Sequence, residues 1–356
     1  MTEAMSQEFR GYLKKIGSGV HTSKNLSRQE SAAATRLMLQ QQATPAQIGA
    51  YLIAHRIKRA TVDEMAGILD AFELLGPQVP EIDNPQPVAV FSVPYDGRSR
   101  TAPLLPLIAL LLATEGNPVL MHGGTCMPTK YGVPLVDLWK GLGIDWTALT
   151  LEQAHQVLSE TGLSMVYLPQ HFSLAHQLVD YRDQIGKRPT LATAELLWCP
   201  YAGNRHQFSG FVHPPTERLL QDVFALRGNV YPYTTIKGLE GSCDLPCDRT
   251  NIIGVYNPDN DPPFERLFLS ARDHDLGGAE VPLESTETLL AQMHQVIAGQ
   301  KSPLLPAVLW SGGFYLWHLK LCPDLRSGIE KVRSLLQEGK VASTLQHLCQ
   351  KISACS

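Results

Sequence analysis

The strand-like run Val88-Ala89-Val90-Phe91 leads into Ser92-Val93-Pro94-Tyr95-Asp96-Gly97, and a Leu-rich helical pattern follows. A second run, Pro118-Val119-Leu120-Met121, ends at His122-Gly123-Gly124. Loops at the carboxyl ends of parallel strands are where such sheets hold ligands, so this layout suits a phosphoribosyl or nucleotide group. A loop that wraps a pyrophosphate needs closely approaching backbone N–H groups, and therefore glycines. Here Pro94 deletes a donor and Tyr95 adds bulk. Asp96 could hold ribose or a metal-bound water, or could simply form an Asp-Gly turn with Gly97. Arg98 and Arg100 follow on what should be an exposed loop, where two guanidinium groups suit an anion. His122, beside Gly123, could contact a ligand or could hydrogen-bond to backbone.

The remaining reactive residues carry weaker signals. Cys243 and Cys247 form the only close pair among seven cysteines, and zinc sites usually need a second pair. An odd cysteine number at irregular spacing fits a reducing compartment better than a disulfide framework. Asp273-His274-Asp275 is one short acidic run on an expected loop, a poor basis for a metal site. Trp310-Ser311-Gly312-Gly313 reads as a helix start packed on the core.

Of the 356 residues 44% are hydrophobic and 18% charged, which fits one large or two ordinary globular domains and argues against disorder. No apolar run is long enough to span a bilayer, and the first ten residues lack an apolar leader core, so a cytoplasmic location is expected. The net charge of −4 conceals an asymmetry: residues 1–60 carry +6 and the remainder −10. A basic amino-terminal end can draw in an anionic partner even on an acidic protein, or can be a solvated helix surface.

The elements that must position these residues are readable from pattern. Residues 6–75 show four short amphipathic helices, with Ser27-x-x-Glu30 and Thr61-x-x-Glu64 as capping boxes and Thr44-Pro45 as a capped start. Four prolines between Pro77 and Pro87 mark a linker. Strands and helices then alternate: a strand at 88–91, helix 103–114, strand 119–121, helix 133–142, strand 163–168, helix 172–187, strand 208–212, helix 214–227 and strand 229–233. Short strands at 252–256 and 267–269 and helices at 286–298 and 328–348 complete the pattern. The rhythm predicts an α/β protein with a mostly parallel sheet flanked by helices, and with a smaller all-α amino-terminal domain. The expected division is residues 1–75, together with the helix near 172–187, and residues 84–356.

The segment Ala43-Thr44-Pro45-Ala46-Gln47-Ile48-Gly49-Ala50-Tyr51-Leu52-Ile53-Ala54-His55-Arg56-Ile57-Lys58 closely resembles anthranilate phosphoribosyltransferases, of the glycosyltransferase family 3 and pyrimidine nucleoside phosphorylase group. Asp137-Leu138-Trp139-Lys140-Gly141-Leu142-Gly143, Arg182-Asp183-Gln184-Ile185-Gly186-Lys187-Arg188 and the stretch from Pro200 to Val212 extend the likeness over essentially the whole chain. The resemblance implies a transferase of tryptophan biosynthesis that displaces pyrophosphate from phosphoribosyl pyrophosphate with the amine of anthranilate, assisted by Mg²⁺. It implies a homodimer formed through the amino-terminal helices. By position it assigns Asp96, Gly97, His122 and Gly123 to the phosphoribosyl group, Glu240 and Asp244 to the metal, and Arg182 and Arg188 to the acceptor. The family's cradle, G-T-G-G-D-G, stands here as Ser92-Val93-Pro94-Tyr95-Asp96-Gly97, and its K-H-G-N-R as Met121-His122-Gly123-Gly124-Thr125. Both phosphate-facing cations are therefore missing, and Cys243 stands where the family pairs Asp with Glu.

Two readings follow. One is a phosphoribosyltransferase with an altered pyrophosphate loop. The other is a non-catalytic paralogue that binds nucleic acid or another polyanion through its basic helices and Arg98/Arg100.

Overall fold

A computed structural model describes residues 3–19 and 21–355 of the chain. Four helices open it: α1 (Glu3–Ile16), α2 (Arg28–Leu39), α3 (Pro45–Lys58) and α4 (Val62–Leu75). Complete capping boxes start the last three, at Ser27/Glu30, Thr44/Gln47 and Thr61/Glu64. Each satisfies two backbone donors that a helix start would otherwise leave bare.

The α/β part follows as β1 (Val88–Ser92), α5 (Leu105–Thr114), β2 (Val119–Gly123), α6 (Leu135–Gly141), α7 (Leu151–Thr161) and β3 (Leu163–Tyr167). Three one-turn helices come next, α8 (Leu168–His171), α9 (Ser173–His176) and α10 (Val179–Gln184), then α11 (Leu191–Leu197). The chain continues through β4 (Arg205–Gly210), α12 (Pro214–Leu226), β5 (Tyr233–Ile236), β6 (Asn251–Tyr256) and β7 (Phe264–Leu269). It closes with α13 (Thr286–Ile297), α14 (Leu305–His318), α15 (Leu325–Gln337) and α16 (Lys340–Cys355).

The seven strands form one sheet in the order β3-β2-β1-β4-β5-β6-β7. The first five are parallel, and β6 and β7 run antiparallel at one edge. Strand order reverses beside β1, which lies between β2 and β4, so the crevice at its carboxyl end is the switch point where such sheets take ligands. Register places Ser92, His122 and Ser209 side by side there.

The two-residue alternation along each strand divides the core. Ala89, Phe91, Val119, Met121 and Phe208 face α5 and the closing helices, whereas Val88, Val90, Leu120 and Val166 face the amino-terminal helical domain. Arg227, after α12, pairs with Asp70 at 3.1 Å and with Glu73 on α4, joining the helical domain to the sheet layer.

Several elements depart from the sequence expectation. The helix expected at 172–187 is instead two short helices, α9 and α10, interrupted at Gln177 and Leu178. Just before α9, the ring of Phe172 packs against Phe72 and Trp198, each with centroids 5.4 Å away. The strand expected at 229–233 starts only at Tyr233, since Pro232 has no N–H for the ladder. The single closing helix becomes two, split at Gly339 (φ +70°). Trp310 to Gly313 lie within α14 rather than at its start. A Cβ on Gly313 would sit 2.5 Å from Ile329 Cγ1, so glycine is what lets α14 and α15 touch. Helix α7 had a signal in Thr150-x-x-Gln153, a capping box that the strand-centred reading passed over.

Glu64 shows how tightly the helical domain is tied. It is fully buried and accepts from Leu26 N at 2.8 Å, Thr61 N at 2.8 Å and Lys58 Nζ at 2.7 Å, with His55 Nε2 at 3.4 Å. Burial alone would raise its pKa, but the hydrogen bonds from His55, Lys58 and the two backbone N–H groups prevail, lowering it from 4.5 to about 2. A folded value below the unfolded one stabilises the protein above the unfolded pKa and loses that contribution as pH falls toward the folded one. Acid melts should therefore lose about 3 kcal/mol between pH ~4.5 and ~2 through this group. Glu64→Gln should flatten that limb while lowering stability at neutral pH.

Candidate functional site

At the switch point, β1 ends at Ser92 and the chain turns through Pro94 and Tyr95, with Gly97 N donating to Pro94 O at 3.0 Å. Gly97 has φ +71°, and a Cβ there would lie 2.6 Å from the Gly132 carbonyl carbon. The turn is thus fixed by the chain segment lying over it.

Tyr95 folds inward rather than across the loop. Its hydroxyl hydrogen-bonds His122 Nδ1, while His122 Nε2 lies 3.2 Å from Ser92 Oγ. The imidazole is completely buried, edge-on to Trp198 with centroids 5.2 Å apart. Burial lowers its pKa from 6.5 to about 3, so it is a neutral ring. A ligand-facing His122 is therefore corrected to a buried core histidine, bonded to side chains rather than to backbone. Gly123 is closed off as well, since a Cβ there would meet Val93 Cγ2 at 2.9 Å.

The larger correction concerns the arginines. Arg98 is not on an exposed loop: its side chain is 3% accessible, whereas that of Arg100 is 78% accessible. Arg98 Nη1 donates to Asp244 Oδ2 at 2.5 Å and to Ser242 Oγ at 2.9 Å, and Nη2 donates to Thr101 Oγ1. Its Nε lies 3.6 Å from Glu240 Oε1. Glu240 accepts from the N–H groups of Arg100 (3.1 Å) and Thr101 (2.9 Å) and pairs with Lys130 Nζ at 2.7 Å. It does so from a left-handed backbone conformation, φ +54°, which is strained for a non-glycine residue. Asp244 Oδ2 also takes Leu104 N at 2.9 Å.

The two carboxylates assigned to a metal do converge, but around a guanidinium. Burial pushes Asp244 up, with Arg98 opposing it, and the contacts from Lys130 and Thr101 hold Glu240 far below the usual carboxylate range despite its burial. Mg²⁺ needs oxygen ligands with room for several waters. Carboxylates already compensated by Arg98 and Lys130 do not fit it, and among the described residues no group of three or more His, Cys, Asp or Glu is arranged for a metal. Lys130 was the member of this cluster that the sequence reading missed, because nothing local marks it as a partner of Glu240. The space left between Ser92, Pro94, Arg98, Pro103 and Asp244 is about 30 Å³. That is about one water molecule's share of liquid volume.

On the acceptor side, Arg188 Nη1 lies 3.5 Å from Asp96 Oδ2, so Asp96 pairs across the cleft, and its Oδ1 is buried without a partner. Arg182 is buried against Glu195 at 3.3 Å, although its Nε and Nη2 have no partner. Burial raises the Glu195 pKa, opposed by Arg182 and Arg188. Cys243 and Cys247 are buried neutral thiols, the latter pushed up to about 12 by burial. His274 packs beside Trp310 with centroids 5.7 Å apart.

The chain is similar to known proteins. A family model described as glycosyl transferase family, helical bundle domain, matches residues 10–73. The chain is 27% identical to the anthranilate phosphoribosyltransferase of Chromobacterium violaceum over 324 residues, covering 90% of this chain and 92% of that one. It is 29% identical to the enzyme of the same name from Sinorhizobium medicae, covering 94% and 97%. The chain is anthranilate phosphoribosyltransferase-like. Anthranilate phosphoribosyltransferase from Saccharomyces cerevisiae, solved in complex with PRPP and Mg, superposes with a TM-score of 0.81 at 14% identity, covering 99% of each chain. The enzyme from Thermus thermophilus gives 0.73 at 18% identity, covering 99% of this chain and all of that one. The fold of this anthranilate phosphoribosyltransferase-like chain is thus the one expected, with its helical domain and mostly parallel sheet. No described helix is long and apolar enough to cross a membrane.

Arg98→Ala should destabilise the protein by about 3–5 kcal/mol in chemical denaturation, because it strands a buried carboxylate. Arg100→Ala, exposed and 3.6 Å from Glu240, should change stability by less than about 1 kcal/mol. Similar losses for both would show that the buried pair does not hold the loop.

Proposed function

We propose that this phosphoribosyltransferase-like chain keeps the family scaffold but does not displace pyrophosphate, and that it serves as a binding protein for a polyanion such as single-stranded nucleic acid. The carrying observation is the Arg98 cluster, with its cation internal, its carboxylates compensated, and about 30 Å³ left beside it. A pyrophosphate cradle stabilises charge with converging N–H groups and cations, each worth about 2.7–4 kcal/mol in the transition state. Here Pro94 and Tyr95 occupy its place. Transfer to anthranilate would require this lock to open and a metal to compete with Arg98.

The polyanion reading rests on the helical domain. Arg10, Lys24 and Arg36 are exposed there and enter no ion pair among the described residues. Arg98 drops out of that surface, and Arg100 stays exposed at the rim. Homodimerisation through the same helices is part of the proposal. Ile57, 70% accessible, and Leu74, 63% accessible, are apolar area a second copy could cover. Light scattering at micromolar concentration should give twice the chain mass.

Pyrophosphate release decides the catalytic part. With phosphoribosyl pyrophosphate, Mg²⁺ and anthranilate at millimolar concentration, the protein should release no pyrophosphate above the protein-free background. Release that scales with protein concentration restores the enzyme reading. For the binding part, an oligonucleotide should bind with affinity that falls steeply with salt, and Arg36→Glu with Lys24→Glu should reduce both the affinity and the slope.

A further inference from the structure

We propose that the cleft where the α3–α4 junction faces α11 and α12 binds a small nucleotide-like anion, a multiply charged phosphate group joined to a planar ring. The cleft measures about 850 Å³. That lies within the range of small-ligand sites and far exceeds the closed switch-point crevice. Arg56, Arg59, Arg188 and Arg218 line it, against Asp222 as the only lining carboxylate. Four guanidinium groups around one cavity are conspicuous in a chain of net charge −4.

These charges are poorly compensated by the protein itself. Arg59 and Arg218 enter no ion pair among the described residues. Arg56 donates to the Arg188 carbonyl, a neutral acceptor, and Arg188 has only Asp96 at 3.5 Å. Like charges gathered without counterions repel one another in the empty cleft, and a phosphate group relieves that repulsion while satisfying planar donors. Arg59 is also held at φ +67°, ψ 138°, a conformation strained for a non-glycine residue.

The rest of the lining selects the other half of the ligand. Met65, Leu219, Pro214 and Pro215 form an apolar side. The two prolines open α12 and present no N–H, so that wall suits a ring face rather than a second charged group. The hydroxyls of Thr190 and Thr193 form no hydrogen bond within the described chain and can serve a sugar or phosphate oxygen. A cavity of this size between helices admits one nucleotide unit. The inference therefore stands apart from the polyanion reading, which concerns the outer helical surface.

The test is calorimetric titration of the full chain with ADP, pyrophosphate and adenosine, in buffer without Mg²⁺. ADP should bind saturably, one per chain, and pyrophosphate and adenosine each about tenfold more weakly or worse. Arg218→Ala and, separately, Thr193→Trp should weaken ADP at least about tenfold, the first by removing a charged donor and the second by filling space. Arg326→Ala, exposed on α15 and outside the cleft, should leave ADP binding unchanged. Absence of ADP binding at millimolar concentration, or equal binding by wild type and both cleft variants, overturns the proposal. ADP binding that persists when oligonucleotide binding is absent removes the polyanion reading alone.

Discussion

Arg98 is buried among Asp244, Glu240, Ser242 and Thr101 at the mouth of β1, and the character of the whole crevice depends on that arrangement. A guanidinium withdrawn from water is tolerable only when its charge and donors are met. The chain meets them by drawing three segments together: the loop after β1, the turn at 240–244 and, through Glu240, Lys130. Once those segments converge, the switch point has an internal cation and little room for an external anion. The strained backbone of Glu240 fits this picture, because the carboxylate is held where eight donors or cations reach it.

Tyr95, His122 and Ser92 close the crevice from the sheet side. They form a chain of neutral polar contacts in a layer where every neighbour is buried, and desolvation keeps the imidazole uncharged. Charge complementarity on one side and neutral hydrogen bonding on the other reach the same result by different physics. The likeness to anthranilate phosphoribosyltransferases nevertheless runs the length of the chain, because the fold is set by caps, alternation and core packing that this crevice does not touch.

The distribution of charge follows the same division. Carboxylates at the sheet end are consumed by Arg98 and Lys130, while arginines on α3, α12 and the segment before α11 remain underpaired around an open cleft. An acidic protein can thus present a basic concavity, since net charge says little about local field. Ion pairs within the helical domain, such as Lys15 with Glu30 and Lys58 with Glu64, remove other cations from that surface.

The sequence by itself determined the elements whose causes are local. Capping boxes at Ser27 and Thr61, the Thr44-Pro45 start, the alternating strands and the connections between them are written in neighbouring residues, so helical domain and parallel sheet were both legible. That Pro94 and Tyr95 stand in the loop after β1 was legible for the same reason. What only the tertiary structure decided are relations between residues far apart in the chain. Arg98 meets Asp244 across 146 positions and Lys130 meets Glu240, so an arginine that reads as an exposed anion contact becomes a buried counterion. Phe172 joins an aromatic cluster that only the folded chain assembles. Arg59 and Arg218, unremarkable in their own segments, share one cleft. Local propensity fixes which elements form, but burial and long-range charge pairing fix which side chains remain free to act.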